Sequence, residues 1–414
     1  MTQAHTDVAP RDGPLHGVRI LDITTVIMGP AATQILGDLG ADVIKIEQPG
    51  GDSMRGVGPF RHDRMGPMYL QANRNKRSVK LDLKNADDRA TLLALATKVD
   101  VVISNVRPQA LKRLGLGYEA LAKVNPKIIY CMAVGYGAGG PDAGKAVYDD
   151  LMQAASGISG LFRDVDGTPR YAPVNICDRV VGLHLVIAVL GALQHLNATG
   201  QGQEIEVPMF ETMAQFVLAD HMGGGAFVPP LGPMGYKRLK SRFRGPYPTS
   251  DGHLSIVVYT DAHWKAFGEL VGESDLIATD ERFRTQESRT QHSEHMGQFL
   301  ATRLPKHTTR EWLTLLNDAD IPASPVNAIE DLLEDPHLNA VDFFEDQEHP
   351  TEGTLKVARF PIKFGKSPAT IRRLAPNLGE HNDEVVAELL GDSGLAPASP
   401  PSGLSKTSAP IDRS

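Results

Sequence analysis

Asp178 is the residue of this sequence whose surroundings best suit a catalytic role. It follows the loop-forming residues 172–175 and lies just before Val180–Leu196, an apolar segment predicted to form a buried helix. A helix N-terminus favours a carboxylate anion, and the apolar helix would leave that anion partly desolvated, which suits a nucleophile. The same position also suits an N-cap, a very common use of aspartate. Spacing alone does not decide between these two roles.

Tyr148 and Asp149 open a second predicted helix, over residues 146–157. Acidic residues are ordinary in the first turn of a helix. No histidine stands beside them to act as a base, and Ser156 lacks the G-x-S-x-G pattern of a serine hydrolase. The histidines of the chain show no H-E-x-x-H or similar spacing, so the sequence predicts no metal site.

Residues 135–140 read G-Y-G-A-G-G, which matches the G-x-G-x-x-G pattern of dinucleotide sites and follows a predicted strand. The turn-forming residues 141–144 come next, where that fingerprint requires a helix. We therefore predict neither a nicotinamide nor a flavin site. The glycines instead indicate a loop whose backbone a large ligand can approach closely.

Residues 236–244 read Y-K-R-L-K-S-R-F-R and contain five basic residues. Such a segment is either a solvated basic loop or an anion site for a phosphate or a substrate carboxylate. The sequence leaves both interpretations open.

Strand and helix signals alternate in the first third of the chain and predict βαβ units with a parallel sheet. Ligands of such sheets bind beyond the carboxyl ends of the strands. The predicted strands are 18–23, 43–46, 101–104 and 128–134, and the predicted helices between them are 31–39, 86–98 and 108–114.

The pattern changes near residue 220, which indicates a second domain. The predicted order is a flexible tail (1–14), a large domain (15–220), a linker (221–247), a small domain (248–330), a return to the large domain (331–390) and a disordered tail (391–414). In the small domain we expect a strand at 253–259 and helices at 261–270 and 309–317. A late strand at 357–364 is predicted to rejoin the first sheet.

The composition excludes several classes of protein. The 414 residues carry a formal net charge of -8, which argues against a nucleic-acid partner. Two cysteines exclude a disulfide scaffold and favour a reduced, cytoplasmic setting. The N-terminus lacks the apolar region of a signal peptide, and the apolar segment at 180–196 is shorter than the ~20 residues that span a bilayer, so no membrane association is expected.

A series of motifs lies in order along residues 15–390, at 15–30, 36–47, 75–84, 105–115, 125–130, 135–137, 200–211, 321–326 and 378–384. Taken together, these motifs resemble the class III coenzyme A transferases, the group that includes formyl-CoA:oxalate and carnitine CoA-transferases. The resemblance implies an α/β protein with an open Rossmann-like parallel-sheet large domain, a smaller α+β domain and an interlocked homodimer. Acyl-CoA and a free carboxylic acid would be its substrates, with no permanently bound cofactor.

The same resemblance assigns roles to single residues. Asp178 matches the family nucleophile, which forms an acyl–aspartyl anhydride and then an aspartyl-CoA thioester, and the loop at 135–140 would supply backbone donors for the oxyanions. Tyr148 and Asp149 match the tyrosine–acid pair of the oxalate-type enzymes. The positions that match those holding the CoA nucleotide are Leu81, Lys84, Asn105 and Arg113.

Departures from the family pattern narrow the expected activity. Ile27 and Gln48 replace a glutamine and an arginine of the oxalate-type enzymes, which argues against oxalate as the acceptor. The related α-methylacyl-CoA racemases are an alternative, but they carry a histidine where this chain has Tyr148. Because exchange of a proton between two bases needs that second base, Tyr148 favours the transferase.

Overall fold

A computed structural model describes residues 13–391, and its centre is a six-stranded parallel sheet with the strand order β3-β2-β1-β4-β5-β6. This is the order of a doubly wound fold, in which the connection reverses direction between β1 and β4. The α/β class predicted from the sequence is therefore confirmed. The strands are β1 Arg19–Ile23, β2 Asp42–Glu47, β3 Lys76–Lys80, β4 Val101–Ser104, β5 Ile129–Val134 and β6 Gln203–Pro208.

Both faces of this sheet are covered by helices, as a parallel sheet requires. Along β5, Ile129 and Cys131 face one hydrophobic core, whereas Tyr130 and Met132 face the other. The alternation follows from the two-residue period of a strand. The helices of this unit are α1 Met28–Asp38, α2 Pro67–Ala72, α3 Ala86–Ala96, α4 Pro108–Arg113, α5 Tyr118–Val124, α6 Asp149–Ala155, α7 Ile158–Asp166, α8 Ile176–Thr199 and α9 Met209–His221.

Among the helices that cover the sheet in the described part of the chain, α8 is the longest. It begins at Ile176, four residues before the predicted apolar segment. Val181, Leu185 and Val189 are fully buried at a spacing of four residues and pack into the core of the large sheet. By length and composition alone the helix could cross a membrane, but its contacts with α1, β5 and β6 make it a core helix of this fold.

A separate hydrophobic core organises residues 247–325. Trp264, Phe267 and Trp312 are buried there among aromatic neighbours, next to an antiparallel sheet of order β7-β8-β9. We call this part the small unit. Its elements are β7 Tyr247–Pro248, β8 His253–Ile256, α10 Asp261–Val271, α11 Ser274–Thr279, α12 Gln286–Gln291, α13 Ser293–Arg303, α14 Thr309–Asp318 and β9 Ala323–Pro325.

The C-terminal segment returns to the large sheet through a helix. After α15 (Pro336–Ala340) come β10 (Phe344–His349), β11 (Gly353–Ala358) and α16 (Asn382–Leu390). Val385 and Leu389 of α16 are buried in the core that covers one face of the sheet.

The predicted late strand at 357–364 is wrong. Strand β11 ends at Ala358 and pairs antiparallel with β10, in a hairpin separate from the large sheet. Ala358 pairs with Phe344, the first residue of β10, so the partner strand does not extend beyond this point. Pro361 also lacks the N–H that a strand needs to continue a ladder.

The connection between α9 and β7 contains a short 3-10 helix at Gly223–Ala226 and otherwise irregular backbone. Its basic segment, 236–244, is attached to both units. Lys240 pairs with Asp164 of α7 at 2.7 Å, and Arg242 lies 3.9 Å from Glu294 of α13. The predicted tails lie outside the described residues, apart from residues 13, 14 and 391.

A network of buried charges joins the large sheet to the segment that follows β1. Lys45 and Lys76 are completely buried, and a buried ammonium group must be paired. The Lys45 ammonium donates to Asp52 at 3.0 Å and to the carbonyl of Thr24 at 2.9 Å. The Lys76 ammonium donates to Asp22 at 3.1 Å. The side chains of β2 and β3 therefore hold the chain where β1 ends.

We expect Lys45→Met to lower the free energy of unfolding by about 3–5 kcal/mol, because it leaves the Asp52 carboxylate buried without its partner. Urea unfolding followed by circular dichroism measures this. The control is Lys356→Met, which breaks a pair with Asp346 whose side chains are 52% and 59% exposed. That change should cost no more than about 1 kcal/mol. Equal losses in the two variants would contradict the structural role of the buried pair.

Candidate active site

A cavity of about 360 Å³ lies at the carboxyl ends of β1, β4, β5 and β6. This is where a doubly wound sheet binds its ligands, beside the reversal of strand order. Residues from four segments line it, together with Asp178 near the start of α8: 25–28 after β1, 105 and 107–109 after β4, 133–136 and 138 at the end of β5, and 143–148 before α6. Glu206 and Met209 complete the wall.

Asp178 is half-buried at the edge of this cavity. Burial raises the pKa of its carboxyl group to about 6, and the negative charge of Asp149 adds to the increase, while Arg179 acts against it. At neutral pH the group is a carboxylate that is a stronger base than an ordinary aspartate. Such a group can act as a nucleophile or accept a proton.

The N-cap interpretation of Asp178 is wrong. Helix α8 begins at Ile176, so Asp178 is the third residue of the helix, and the N-cap position belongs to Asn175. Neither residue makes a side-chain hydrogen bond to the free N–H groups of the first turn. Within residues 13–391, the Asp178 carboxylate accepts no hydrogen bond, which leaves it available to a ligand.

Asp149 supplies the missing cap from a neighbouring helix. Its buried carboxylate accepts the backbone N–H of Asp178 at 2.9 Å and the side-chain amide of Gln153 at 2.6 Å. Gln153 in turn accepts the N–H of Ala172, in the loop that leads to α8, at 2.8 Å. Asp149 therefore fixes the first turn of α8 and places a second negative charge near Asp178.

Tyr148 and Asp149 have different surroundings although they are adjacent in sequence. Tyr148 lines the cavity and is 67% exposed, whereas Asp149 is buried behind the cavity wall. Gly135 allows this arrangement, since a Cβ there would lie 2.5 Å from the side chain of Val147. The end of β5 thereby packs directly against the residue before Tyr148.

The cavity wall after β1 is held in an unusual backbone conformation. Val26 has a φ of 73°, which is unfavourable for a β-branched residue. The side-chain amide of Asn105 bonds both the N–H and the carbonyl of Thr25, at 3.0 and 2.8 Å, and Asp52 accepts the N–H of Val26 at 3.3 Å. Side chains from outside the loop therefore offset the cost of the strain.

Helices α1 and α8 approach each other closely next to the cavity. A Cβ on Gly182, one turn after Asp178, would lie 3.0 Å from the carbonyl oxygen of Met28. The backbone N–H groups of Met28 and Gly29, in the first turn of α1, have no acceptor among the described residues. Free N–H groups at a helix N-terminus favour an anion or a developing oxyanion.

Comparison with known proteins identifies the family of this chain. Residues 15–382 match the model of CoA-transferase family III.

The chain belongs to CoA-transferase family III.

Curated relatives and a solved structure agree with this assignment. The chain is 35% identical over 399 residues to the succinate–glutarate CoA-transferase of Agrobacterium fabrum, with 93% of this chain and 98% of that protein covered. It is 31% identical to the mouse succinyl-CoA:glutarate CoA-transferase, with 91% and 86% covered. A CAIB/BAIF family protein from Brucella suis has a TM-score of 0.77 and 31% identity, with 91% and 100% covered. The family predicted from the sequence is confirmed, and the protein is a CoA-transferase, which moves coenzyme A between an acyl-CoA and a carboxylate.

The structure places the four predicted CoA contacts of this CoA-transferase in different surroundings. Asn105 lines the cavity, although its amide is already engaged with Thr25. Leu81 is buried in the core behind the sheet, and Lys84 and Arg113 are exposed outside the cavity wall.

Two cationic residues that sequence reasoning did not single out, Arg107 and Lys145, line the cavity instead. Arg107 is exposed, and Lys145 pairs with Asp142. Arg107 lies three residues after the predicted strand 101–104 and within the motif at 105–115, and this position is a signal that could have identified it.

Two backbone N–H groups of the glycine loop are already engaged by carboxylates. The N–H of Gly137 donates to Glu211 at 2.9 Å, and the N–H of Ala138 donates to Glu206 at 2.8 Å. Both N–H groups are therefore occupied by carboxylates, which repel an oxyanion. Residues 135–148 form turns and loop with no helix before Asp149, so the turn predicted after residue 140 is confirmed.

The raised pKa of Asp178 has a consequence for stability. Its ionised form is disfavoured in the folded state, so the group costs stability above pH 6, and the cost shrinks as the pH falls from about 6 towards 3.8. We expect Asp178→Asn to stabilise the protein by about 1–3 kcal/mol at pH 8 and by much less near pH 4. Urea unfolding across this pH range measures the difference.

The matched control for this measurement is Asp150→Asn. Asp150 is an exposed acid in the first turn of α6, where the helix dipole favours its charge. Its replacement should lower stability by up to about 1 kcal/mol. A loss of stability at pH 8 in the Asp178 variant would contradict the electrostatic cost assigned to that carboxylate.

Proposed function

We propose that the protein transfers coenzyme A from an acyl-CoA donor to a free carboxylic acid through covalent intermediates on Asp178. The observation that carries this proposal is the Asp178 carboxylate itself: half-buried, with a raised pKa, without a hydrogen-bond partner among the described residues, and at the wall of the cavity. A carboxylate nucleophile divides the exchange into steps that each transfer an acyl group.

The reaction balances without an external base. The Asp178 carboxylate attacks the thioester carbonyl, the C–S bond breaks, and an acyl–aspartyl anhydride and CoA thiolate form. The thiolate attacks the aspartyl carbonyl and releases the first acid as a carboxylate, which leaves an aspartyl-CoA thioester. The acceptor carboxylate then displaces the thiolate to form a second anhydride. Attack of the thiolate on the acceptor carbonyl gives the new acyl-CoA and restores Asp178.

Each of these attacks develops negative charge on a carbonyl oxygen, which needs donors close to Asp178. The free N–H groups of Met28 and Gly29 are the candidates that the geometry supports, since α1 and α8 meet at Gly182. The bonds made by Gly137 and Ala138 argue against these two N–H groups in this role. Tyr148, exposed in the cavity wall, is proposed to contact the substrate.

The proposed contacts to CoA combine the family pattern with the cavity. Leu81, Lys84, Asn105 and Arg113 are proposed from their positions in the family motifs, and Arg107 and Lys145 from their places in the cavity wall. A guanidinium or an ammonium group binds phosphates through charge-assisted hydrogen bonds. Coenzyme A is a substrate in this scheme, and no permanently bound cofactor is proposed.

The substrates are proposed to be succinyl-CoA and a dicarboxylic acid such as glutarate. The names of the Agrobacterium and mouse relatives support this, as does a relative from Chloroflexus aurantiacus named succinyl-CoA–D-citramalate CoA-transferase, which is 28% identical. A screen of succinyl-CoA and acetyl-CoA against monocarboxylic and dicarboxylic acids, read by mass spectrometry, tests the choice. A preference for uncharged aliphatic monocarboxylates would contradict it.

The racemase alternative lacks the histidine that the related racemases pair with the aspartate. Two-base proton exchange at a carbon next to the thioester needs a second basic group opposite Asp178. No histidine lines the described part of the cavity, and the residue at position 148 is a tyrosine.

We expect Asp178→Asn to abolish transfer and to leave the fold intact, because a neutral amide cannot form the anhydride. With acyl-CoA and hydroxylamine, mass spectrometry of the unmodified protein should find the trapped adduct on the peptide that contains Asp178. An active asparagine variant without an adduct on that peptide would contradict the mechanism.

Lys84→Ala and Arg113→Ala are the matched controls for this experiment. Each keeps Asp178 and should still form the adduct, but at a higher acyl-CoA concentration. The KM for acyl-CoA should rise more than the KM for the free acid, because each change removes a contact worth about 1.5–3 kcal/mol when a charged group takes part. An unchanged KM for acyl-CoA in both would place the nucleotide elsewhere.

We also propose that two copies of the chain form an interlocked homodimer in the cytoplasm. The outer face of α8 supports association, since Leu183, Ile187 and Leu190 are exposed in one stripe of the helix whose first turn holds Asp178. Exposed apolar stripes of this kind are typical of protein interfaces.

Light scattering should give twice the 44.7 kDa mass of one chain. Ile187→Glu should lower that mass towards one chain by placing a charge in the apolar stripe. Val124→Glu, which changes an exposed valine at the end of α5, should leave it unchanged. A stable monomer of the unmodified protein would contradict the proposal.

A further inference from the structure

The small unit contains a second cavity, of about 340 Å³, that shares no residue with the one around Asp178. Its floor is apolar and aromatic, formed by Trp264, Met296 and Leu300, which are almost completely buried. Arg238, Ser241, Phe243 and Arg244 of the basic segment 236–244 also line it, together with Tyr259. A volume near the lower end of the range for ligand pockets suits a small organic molecule.

The charged residues that line this cavity are all positive. Arg238, Arg244 and Arg289 line it, and none of the residues that line it is acidic. Arg289 is buried and already donates to Asp261 and to the carbonyl of Phe283. Arg238 and Arg244, by contrast, have no carboxylate partner among residues 13–391.

This concentration of positive charge is unusual in a chain whose net charge is -8. Lys237, Lys240 and Arg242 of the same segment do not line the cavity, and Lys240 and Arg242 face Asp164 and Glu294 instead. The two arginines without carboxylate partners are the ones that line it. Guanidinium groups next to a low-dielectric apolar surface attract carboxylates more strongly than they would in water.

We propose that the cavity of the small unit binds a small organic acid, with Arg238 and Arg244 on the carboxylate and the Trp264 floor against the carbon chain. Hydroxyl and amide groups of Ser241, Tyr259 and Gln286 lie in the same wall and can complete the hydrogen bonding. This site is separate from Asp178. Only the choice of acid as ligand rests on the proposed function. In that function, free dicarboxylic acids such as glutarate and succinate are substrates or products of the enzyme.

The chain provides its own reporter for this site. Its two tryptophans, Trp264 and Trp312, both belong to the small unit, and Trp264 lines the cavity. Tryptophan fluorescence of the full chain therefore reports the small unit and not the surroundings of Asp178. We expect titration with glutarate or succinate to change the emission in a saturable way, and Trp264→Phe to remove that response.

The arginines are tested with a pair of matched variants. The double variant Arg238→Gln and Arg244→Gln should weaken binding of glutarate at least tenfold. The control is Lys237→Gln with Arg242→Gln, which removes the same charge from the same segment at two positions outside the cavity. It should bind as the unmodified protein does. Equal weakening in both pairs would mean general attraction to a basic segment, and unchanged binding in the Arg238 and Arg244 variant would exclude these contacts; either result overturns the proposal.

Two further ligands test the chemical class. Inorganic phosphate and adenosine 3′,5′-bisphosphate are titrated under the same conditions, and tighter binding of either than of the two acids would overturn the choice of an organic acid. Asp178→Asn should keep the fluorescence response. The titration contains no acyl-CoA, so the fluorescence response does not depend on transfer activity. The proposed function is tested by the transfer assay and the acid site by the fluorescence titration, and either can fail without the other.

Discussion

The burial of two lysine charges is the constraint on which the active-site region of this fold depends. Lys45 and Lys76 lie on neighbouring strands, and their ammonium groups are enclosed in the protein, where an unpaired charge would be very costly. Their partners include Asp22 and the backbone carbonyls of Thr24 and Pro30, at the end of β1 and the start of α1, and also Asp52 after β2 and Asn73 after α2. Pairing the lysines therefore fixes this part of the chain against the sheet. The loop that carries strained Val26 is held in place as a result.

A second electrostatic interaction, between Asp149 and Asp178, lowers the stability of the protein while favouring the chemistry proposed for Asp178. Asp149 stabilises α8 by accepting an N–H of its first turn, yet the same charge raises the pKa of the Asp178 carboxylate. An ordinary exposed aspartate would cost less stability but would be a weaker nucleophile. The raised pKa is about one unit below neutral pH, so the carboxylate remains ionised while gaining basicity. The protein thus keeps a destabilising group at the position where the proposed chemistry needs it.

Much of the fold could be predicted because its signals are local. Strand β4 occupies Val101–Ser104 as predicted, since a β-branched apolar run bounded by polar residues is a strong strand signal. The prediction that a late strand rejoins the large sheet was wrong because the residue pattern of one strand does not show which strand it pairs with. β11 has the composition of a strand, but it pairs with β10 in a hairpin. The length of α8 was underestimated because Asp178 and Arg179 resemble residues outside the helix, whereas the structure places them in its first turn.

The sequence was sufficient to predict Asp178 as the central residue of the candidate site, but not the hydrogen bonds that surround it. Asp178 stands out from its neighbours in sequence, whereas the cap supplied by Asp149 depends on the packing of α6 against α8, which sequence spacing does not show. The same limit applies to the glycine loop, where Glu206 and Glu211 come from a distant part of the chain to occupy its N–H groups.

Two parts of the cavity wall around Asp178 differ in how firmly they are held. Residues 24–26 are bonded by side chains from β2, from the turn after it and from the end of β4, so this part of the wall is preorganised. Tyr148, by contrast, is largely exposed, and α8, whose first turn holds Asp178, presents an apolar stripe to solvent. A reaction through anhydrides must exclude water, because water would hydrolyse them. The preorganised part of the wall can orient a thioester, but the exposed part admits water to the cavity. We therefore expect the exposed part to be covered when the enzyme works, and a second copy of the chain packed along α8 would cover it.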